Sequence, residues 1–176
     1  MKRMLVWLTL ALTVAPVTAK SADNLKLKPD LDFVKNSWQG PIIEGDNLGD
    51  GIVKGATNFV FMYAEFCYNA KRQALRTVEL YRDYSDRVHF VIIDLSRPIP
   101  RRAQMPLVKK FFRQDFPQTT IIDANGKVVF DYIGEADDAT LMGWLDAALR
   151  SGSTQQAANS GSNLPMDPAA AAPKSE

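Results

Sequence analysis

Two stretches of the chain are apolar at nearly every position, and the segments around them repeat apolar residues at helical spacing. Residues 58–64 (NFVFMYA) and 88–94 (VHFVIID) have few polar positions, the pattern of strands covered on both faces. Between them Ala70, Ala74, Val78 and Tyr81 recur every three or four residues, which predicts an amphipathic helix over residues 68–84. Pro106 opens a short helix that reaches residue 113. Residues 119–123 and 127–132 predict two strands joined by Ala124-Asn125-Gly126, and Asn-Gly is a strong hairpin signal. Asp137 or Asp138 then caps a last helix whose apolar face is Leu141, Trp144, Leu145, Ala148 and Leu149. Strand, helix, strand, helix, hairpin, helix is an α/β order in which the first two of these strands run parallel.

The two ends of the chain follow different patterns. Lys2 and Arg3 precede an apolar run over residues 4–14, and Val17-Thr18-Ala19 offers small residues for cleavage. Residues 1–19 therefore read as a signal peptide. Their apolar run is shorter than the roughly 20 residues needed to span a bilayer, so no transmembrane segment is expected after its removal. The expected location is extracytoplasmic, periplasmic in a Gram-negative bacterium and secreted otherwise. Residues 20–39 read as a leader, loose up to residue 29. Beyond it Leu31, Phe33, Val34, Trp38, Ile42 and Ile43 predict a short helix, a short strand and turns against the main domain. Residues 40–150 form that domain. Residues 151–176, rich in Ser, Gly, Ala and Pro with no apolar face, read as a disordered tail.

Composition narrows the chemistry. A hydrophobic fraction of 46% is enough for one packed core. A net charge of +1 gives no overall attraction to nucleic acid, so none is expected as a partner. One cysteine and one histidine cannot form an internal disulfide or a structural zinc site. Neither a metal nor another cofactor is expected, since no phosphate-binding glycine loop or metal-ligand cluster stands in the sequence. An odd cysteine in an exported chain is an intermolecular partner, a reactive thiol or a buried small residue. His89, inside a strand, reads as structural, and Trp38 and Trp144 read as core.

The segment YAEFCYNAK, then IID, then FPQTTIIDANGKVVFDYIG resembles the thioredoxin family over about residues 40–150. The resemblance implies a thioredoxin-like fold, a central mixed β-sheet flanked by helices. It puts Cys67 where the family has its nucleophilic cysteine, Pro117 at the family's cis-proline and Gly134 after the last strand. Cys67 is the candidate catalytic nucleophile. Tyr68, Asn69, Phe116 and Pro117 are the candidate substrate-binding residues, because the family pairs an extended substrate with the backbone before that proline. A cysteine at a helix start also meets unpaired backbone N–H groups, which favour an anionic sulfur.

The departures from the family are as informative. Its Cys-x-x-Cys reads here Cys67-Tyr68-Asn69-Ala70, so the second thiol, which would release a mixed disulfide, is missing. The family's buried aspartate and lysine correspond to Phe61 and Phe90. The stretch between Asp94 and Pro117 is longer than the family's, so residues 97–105 resemble an insertion. Its Arg97, Arg101 and Arg102, with Lys109 and Lys110, are candidates for attracting an acidic partner. The expected function is a thiol-related one through Cys67, by monothiol redox chemistry or a mixed disulfide, without the two-cysteine cycle. The partner would be a protein or a small thiol, and a Cys67-linked dimer is a further option. The alternative is a non-catalytic module that binds a partner on the same scaffold.

Overall fold

The central strands owe their composition to where they sit. A computed structural model describes residues 21–96 and 103–161. Strand β1 (Asp23–Leu27) pairs antiparallel with β2 (Ile43–Asp46) as a separate ribbon. The main sheet contains β3 (Thr57–Tyr63), β4 (Val88–Asp94), β5 (Gln118–Ile122) and β6 (Val128–Ile133), in the order β4-β3-β5-β6. β3 runs parallel to β4 and antiparallel to β5, and β5 runs antiparallel to β6. Every residue of β3 is buried, because it is an inner strand covered on both sides.

Three helices supply the cover: α1 (Tyr68–Tyr84), α2 (Met105–Phe111) and α3 (Asp138–Gly161). Successive residues of β3 face opposite ways, so two cores form on the two faces of the sheet. Phe59, Phe61 and Tyr63 pack with Ala70, Ala74 and Val78 of α1 and with Leu141, Leu145 and Ala148 of α3. Val60 and Met62 join Val91, Ile93, Ile122 and Leu107 of α2 on the other face. The mixed sheet flanked by helices is thus present, with α1 over the predicted span. Asp137 is the cap of α3, its carboxylate accepting from the Thr140 N–H at 2.9 Å and hydroxyl at 2.8 Å. The β5–β6 turn is closed by Asp123, whose carboxylate accepts from the N–H groups of Asn125 and Lys127, both at 2.9 Å.

Both ends depart from expectation. Residues 21–29 are not loose: they contain β1, in which buried Leu25 alternates with exposed Lys26. Ala22, Leu25 and Leu31 belong to the larger core, so the folded unit begins before residue 40. The short helix expected between residues 30 and 58 is absent; turns, bends and β2 stand there instead. Trp38 and Trp144 are not core, being 64% and 43% exposed. α3 runs on to Gly161, into the stretch read as tail. Extending an existing helix costs far less than starting one, and the interior glycine there, Gly152, weakens it by only about 1 kcal/mol. The predicted signal peptide, Arg97, Arg101, Arg102 and the rest of the tail lie outside the described residues. Among the described residues no helix is long and apolar enough to cross a membrane.

His89 is structural, as its place in a strand suggested. Its Nε2–H donates to the Gly51 carbonyl at 2.8 Å. Burial pushes its pKa below the ordinary value, which keeps the ring neutral. Gln104 works beside it, donating to the carbonyls of Leu48 at 2.7 Å and Ile92 at 2.9 Å. Together they fasten the connection before β3 to β4.

Candidate functional site

Cys67 lies where β3 ends and α1 begins. Its backbone is extended, with φ −79° and ψ 116°, and its carbonyl accepts the first helical hydrogen bond, from Lys71 N–H at 3.2 Å. It is therefore the N-cap of α1, a half-buried thiol whose sulfur makes no capping bond to the helix. The Sγ lies 3.9 Å from the carbonyl oxygen of Phe116. The Phe116–Pro117 peptide is cis, as the resemblance implies. The Pro117 carbonyl accepts from Gly134 N–H at 2.7 Å, which ties the entry of β5 to the exit of β6. Gly134 has φ +111°, a conformation that a side chain rarely adopts.

Tyr68 and Asn69 form the first turn of α1 and are held from the side. Asn69 Oδ1 accepts from Arg72 Nη2 at 2.7 Å, and the Arg72 guanidinium stacks 4.6 Å from the Tyr68 ring centre. Arg72 also forms a two-pronged pair with Glu135, and Arg76 reaches the same carboxylate at 3.0 Å. Partial burial alone pushes Glu135 upward, but the two guanidiniums outweigh it and hold the carboxyl below its ordinary range.

A row of aromatic rings runs past the sulfur. Trp38 lies 5.0 Å from Phe66, Phe66 meets Phe116 edge-on at 6.4 Å, and Phe116 lies 5.2 Å from Phe112. Lys109 and Lys110 are exposed on the last turn of α2, the helix leading into Phe112. Phe61 and Phe90 are fully buried. Phe61 stacks on Tyr63 at 5.4 Å and Phe90 lies 5.2 Å from Phe59, so aromatic packing fills both positions. Burial raises the Tyr63 hydroxyl well above its ordinary pKa, so it stays protonated.

A β3–α1–β4 parallel crossover is followed by an antiparallel β5–β6 hairpin, in the sheet order β4-β3-β5-β6. Cys67 at the helix start faces the peptide before β5 across that sheet end. The fold is thioredoxin-like. No protein-family model and no curated protein matches the sequence. Among solved structures, a thiol:disulfide interchange protein of the thioredoxin family from Chlorobium tepidum is similar at 20% identity, with a TM-score of 0.48. That match covers 55% of this chain and 81% of the other. The exposed lipoprotein thioredoxin Etrx1 of Streptococcus pneumoniae is similar at 15% identity, with a TM-score of 0.45, covering 53% and 86% of the two chains. StoA of Bacillus subtilis is similar at 16% identity, with a TM-score of 0.44, covering 52% and 84%.

On this thioredoxin-like scaffold Cys67, Tyr68, Asn69, Phe116 and Pro117 lie together at one end of the sheet. Three features beside them were not singled out from sequence: Asn36, Trp38 as a surface ring, and the Arg72–Glu135–Arg76 cluster. The last had a signal, since Arg72 and Arg76 stand one turn apart and share a helix face. Asn36 had none. Its Oδ1 accepts from the Tyr68 N–H at 3.0 Å, across 32 positions of chain.

Proposed function

We propose that this is an exported thioredoxin-like protein that uses Cys67 as a single working thiol. The observation carrying the reading is a half-buried sulfur 3.9 Å from the Phe116 carbonyl, at the mouth of the sheet. A partner lying along Phe116 and Pro117 would bring its own disulfide against that sulfur. The Cys67 thiolate attacks one sulfur of the partner disulfide. A Cys67–partner bond forms, the original S–S bond breaks, and the other sulfur leaves as a thiolate that takes a proton from water. Ala70 stands where a resolving thiol would be, so the mixed disulfide waits for an external thiol such as glutathione. That thiol, as its thiolate, restores Cys67 and departs joined to the partner. The export assignment rests on the signal-like residues 1–19.

The test is direct. Incubated with oxidised glutathione, the folded protein is expected to gain one glutathione at Cys67 by mass, and Cys67→Ser to gain none. It is expected to fail as a catalyst of insulin reduction by dithiothreitol. If Cys67 is modified only after unfolding, the thiol reading is wrong. A second reading then stands, a partner-binding module. The apolar filling at Phe61 and Phe90 and the aromatic row from Trp38 to Phe112 favour it.

A further inference from the structure

Lys71 lies one helical turn beyond Cys67 and has no accessible surface. Three acceptors surround its Nζ: the carbonyls of Asp32 and Lys35, each at 2.9 Å, and the Ser37 hydroxyl at 3.3 Å. All three belong to one loop ahead of β2. An ammonium group carries three protons and accepts nothing, so this loop satisfies it completely. Lifting the loop would strand a buried charge or draw water onto the helix face, and either is costly.

The loop is also braced from within. The Asp32 carboxylate accepts from the N–H groups of Val34 at 2.9 Å and Lys35 at 3.2 Å. Gln39 accepts from the Asp32 N–H at 2.8 Å and donates to the Ser37 hydroxyl at 3.0 Å. The braced loop reaches both chain neighbours of Cys67. Asn36 takes the Tyr68 N–H at 3.0 Å, and Trp38 packs on Phe66 with ring centres 5.0 Å apart.

We infer that Lys71 is a positioning residue for the Cys67 site, pinning residues 32–38 as a strap that walls one side of the sulfur. The inference rests on the reading of Cys67 as a working thiol and adds what that thiol selects. With the strap in place, approach runs along Phe116. A slim, extended partner or a small thiol fits such an opening. A disulfide set in the broad face of a folded protein does not.

The test compares N-ethylmaleimide with a polyethylene-glycol maleimide on the purified protein, two reagents of the same chemistry and different bulk. In Lys71→Met the bulky reagent is expected to gain about tenfold on the small one, the scale of a modest shift in local opening. Hydrogen exchange at the Tyr68 amide should quicken in parallel. Should Lys71→Met misfold, the double substitution Asn36→Ala with Trp38→Ala opens the strap from its exposed outer side and should give the same shift. A reagent ratio that stays fixed while the Tyr68 amide loses protection would overturn the inference, because the strap would then be open without having gated anything. So would an unchanged Tyr68 amide in Lys71→Met, since the lysine would not be pinning the loop. If the ratio shifts as expected but no variant takes up glutathione, the strap stands and the thiol reading falls.

Discussion

The layer beneath Cys67 and the rim around it are built on opposite principles. Beneath it, Phe61 and Phe90 are sealed among Phe59, Tyr63 and Tyr81. Around it, Asn36, Asn69, Arg72 and Glu135 form hydrogen bonds and ion pairs that depend on side-chain geometry. An apolar layer tolerates no charge but holds its shape without partners, whereas a polar rim keeps its shape only while each partner is present. The resemblance to thioredoxins implies a buried aspartate and lysine in the lower layer, at the positions of Phe61 and Phe90. This chain has filled those positions with aromatic packing and set the polar partners around Cys67, beside the exposed rings of Trp38 and Phe66.

The sharpest way to break that contrast is Phe61→Asp, a carboxylate placed in the sealed layer. A loss of more than about 3 kcal/mol in urea unfolding is expected, because the buried charge gains no partner. Retained stability would mean that water or a cation reaches the layer. At the rim, Glu135→Ala leaves Arg72 and Arg76 without their shared carboxylate. Its expected cost is roughly 1 kcal/mol, near the upper end for a partly exposed pair. A cost as large as that of Phe61→Asp would erase the distinction.

Acid acts on the rim and on the buried sheet in different pH ranges. The His89 pKa is held below its ordinary 6.5 by burial, so the unfolded chain takes up that proton first. Its contribution is present above 6.5 and is lost as pH falls below that value. The Glu135 pKa is also held below its ordinary value, 4.5. Its contribution is present above 4.5 and fades as pH falls through the lower, folded value. The melting temperature should therefore drop between pH 7 and pH 5 through His89, and again below pH 4.5 through Glu135. His89→Gln, which can still donate to Gly51, should flatten the first drop only. An effect of opposite sign is expected at Thr119, whose buried hydroxyl has no hydrogen-bond partner. Thr119→Val keeps the shape and should add about 1 kcal/mol of stability. Destabilisation there would reveal a bound water.

What the sequence made legible was local. Tyr68–Tyr84 could be bounded because its apolar spacing and its neighbouring strands are contiguous in the chain. The Asn125-Gly126 turn could be located because Gly126 takes φ +80°. The strap was not legible, since Lys71 holds Asp32 from 39 positions away and bonds to backbone, which carries no residue signature. β1 was missed because the alternation of Leu25 and Leu27 with lysines is too short to stand out. Trp38 was misread as core because a large ring at the surface has the same composition signal as one inside.

The first residues after the predicted signal have a consequence for solubility. Ala22 N–H donates to the Phe90 carbonyl at 3.1 Å, and Phe90 N–H donates to the Ser21 hydroxyl at 2.8 Å. These are the outward-pointing groups of an edge strand, the ones through which a bare edge recruits a neighbouring chain. Residues 88–94, VHFVIID, contain no proline and a single carboxylate, the composition of a segment able to stack into fibrils once uncovered. A chain shortened to begin at residue 40 is thus expected to bind thioflavin T on standing, while the longer one stays dispersed. Ser21 and Ala22 thus cover part of the sheet margin, occupying both backbone groups of Phe90 that a neighbouring strand would otherwise take.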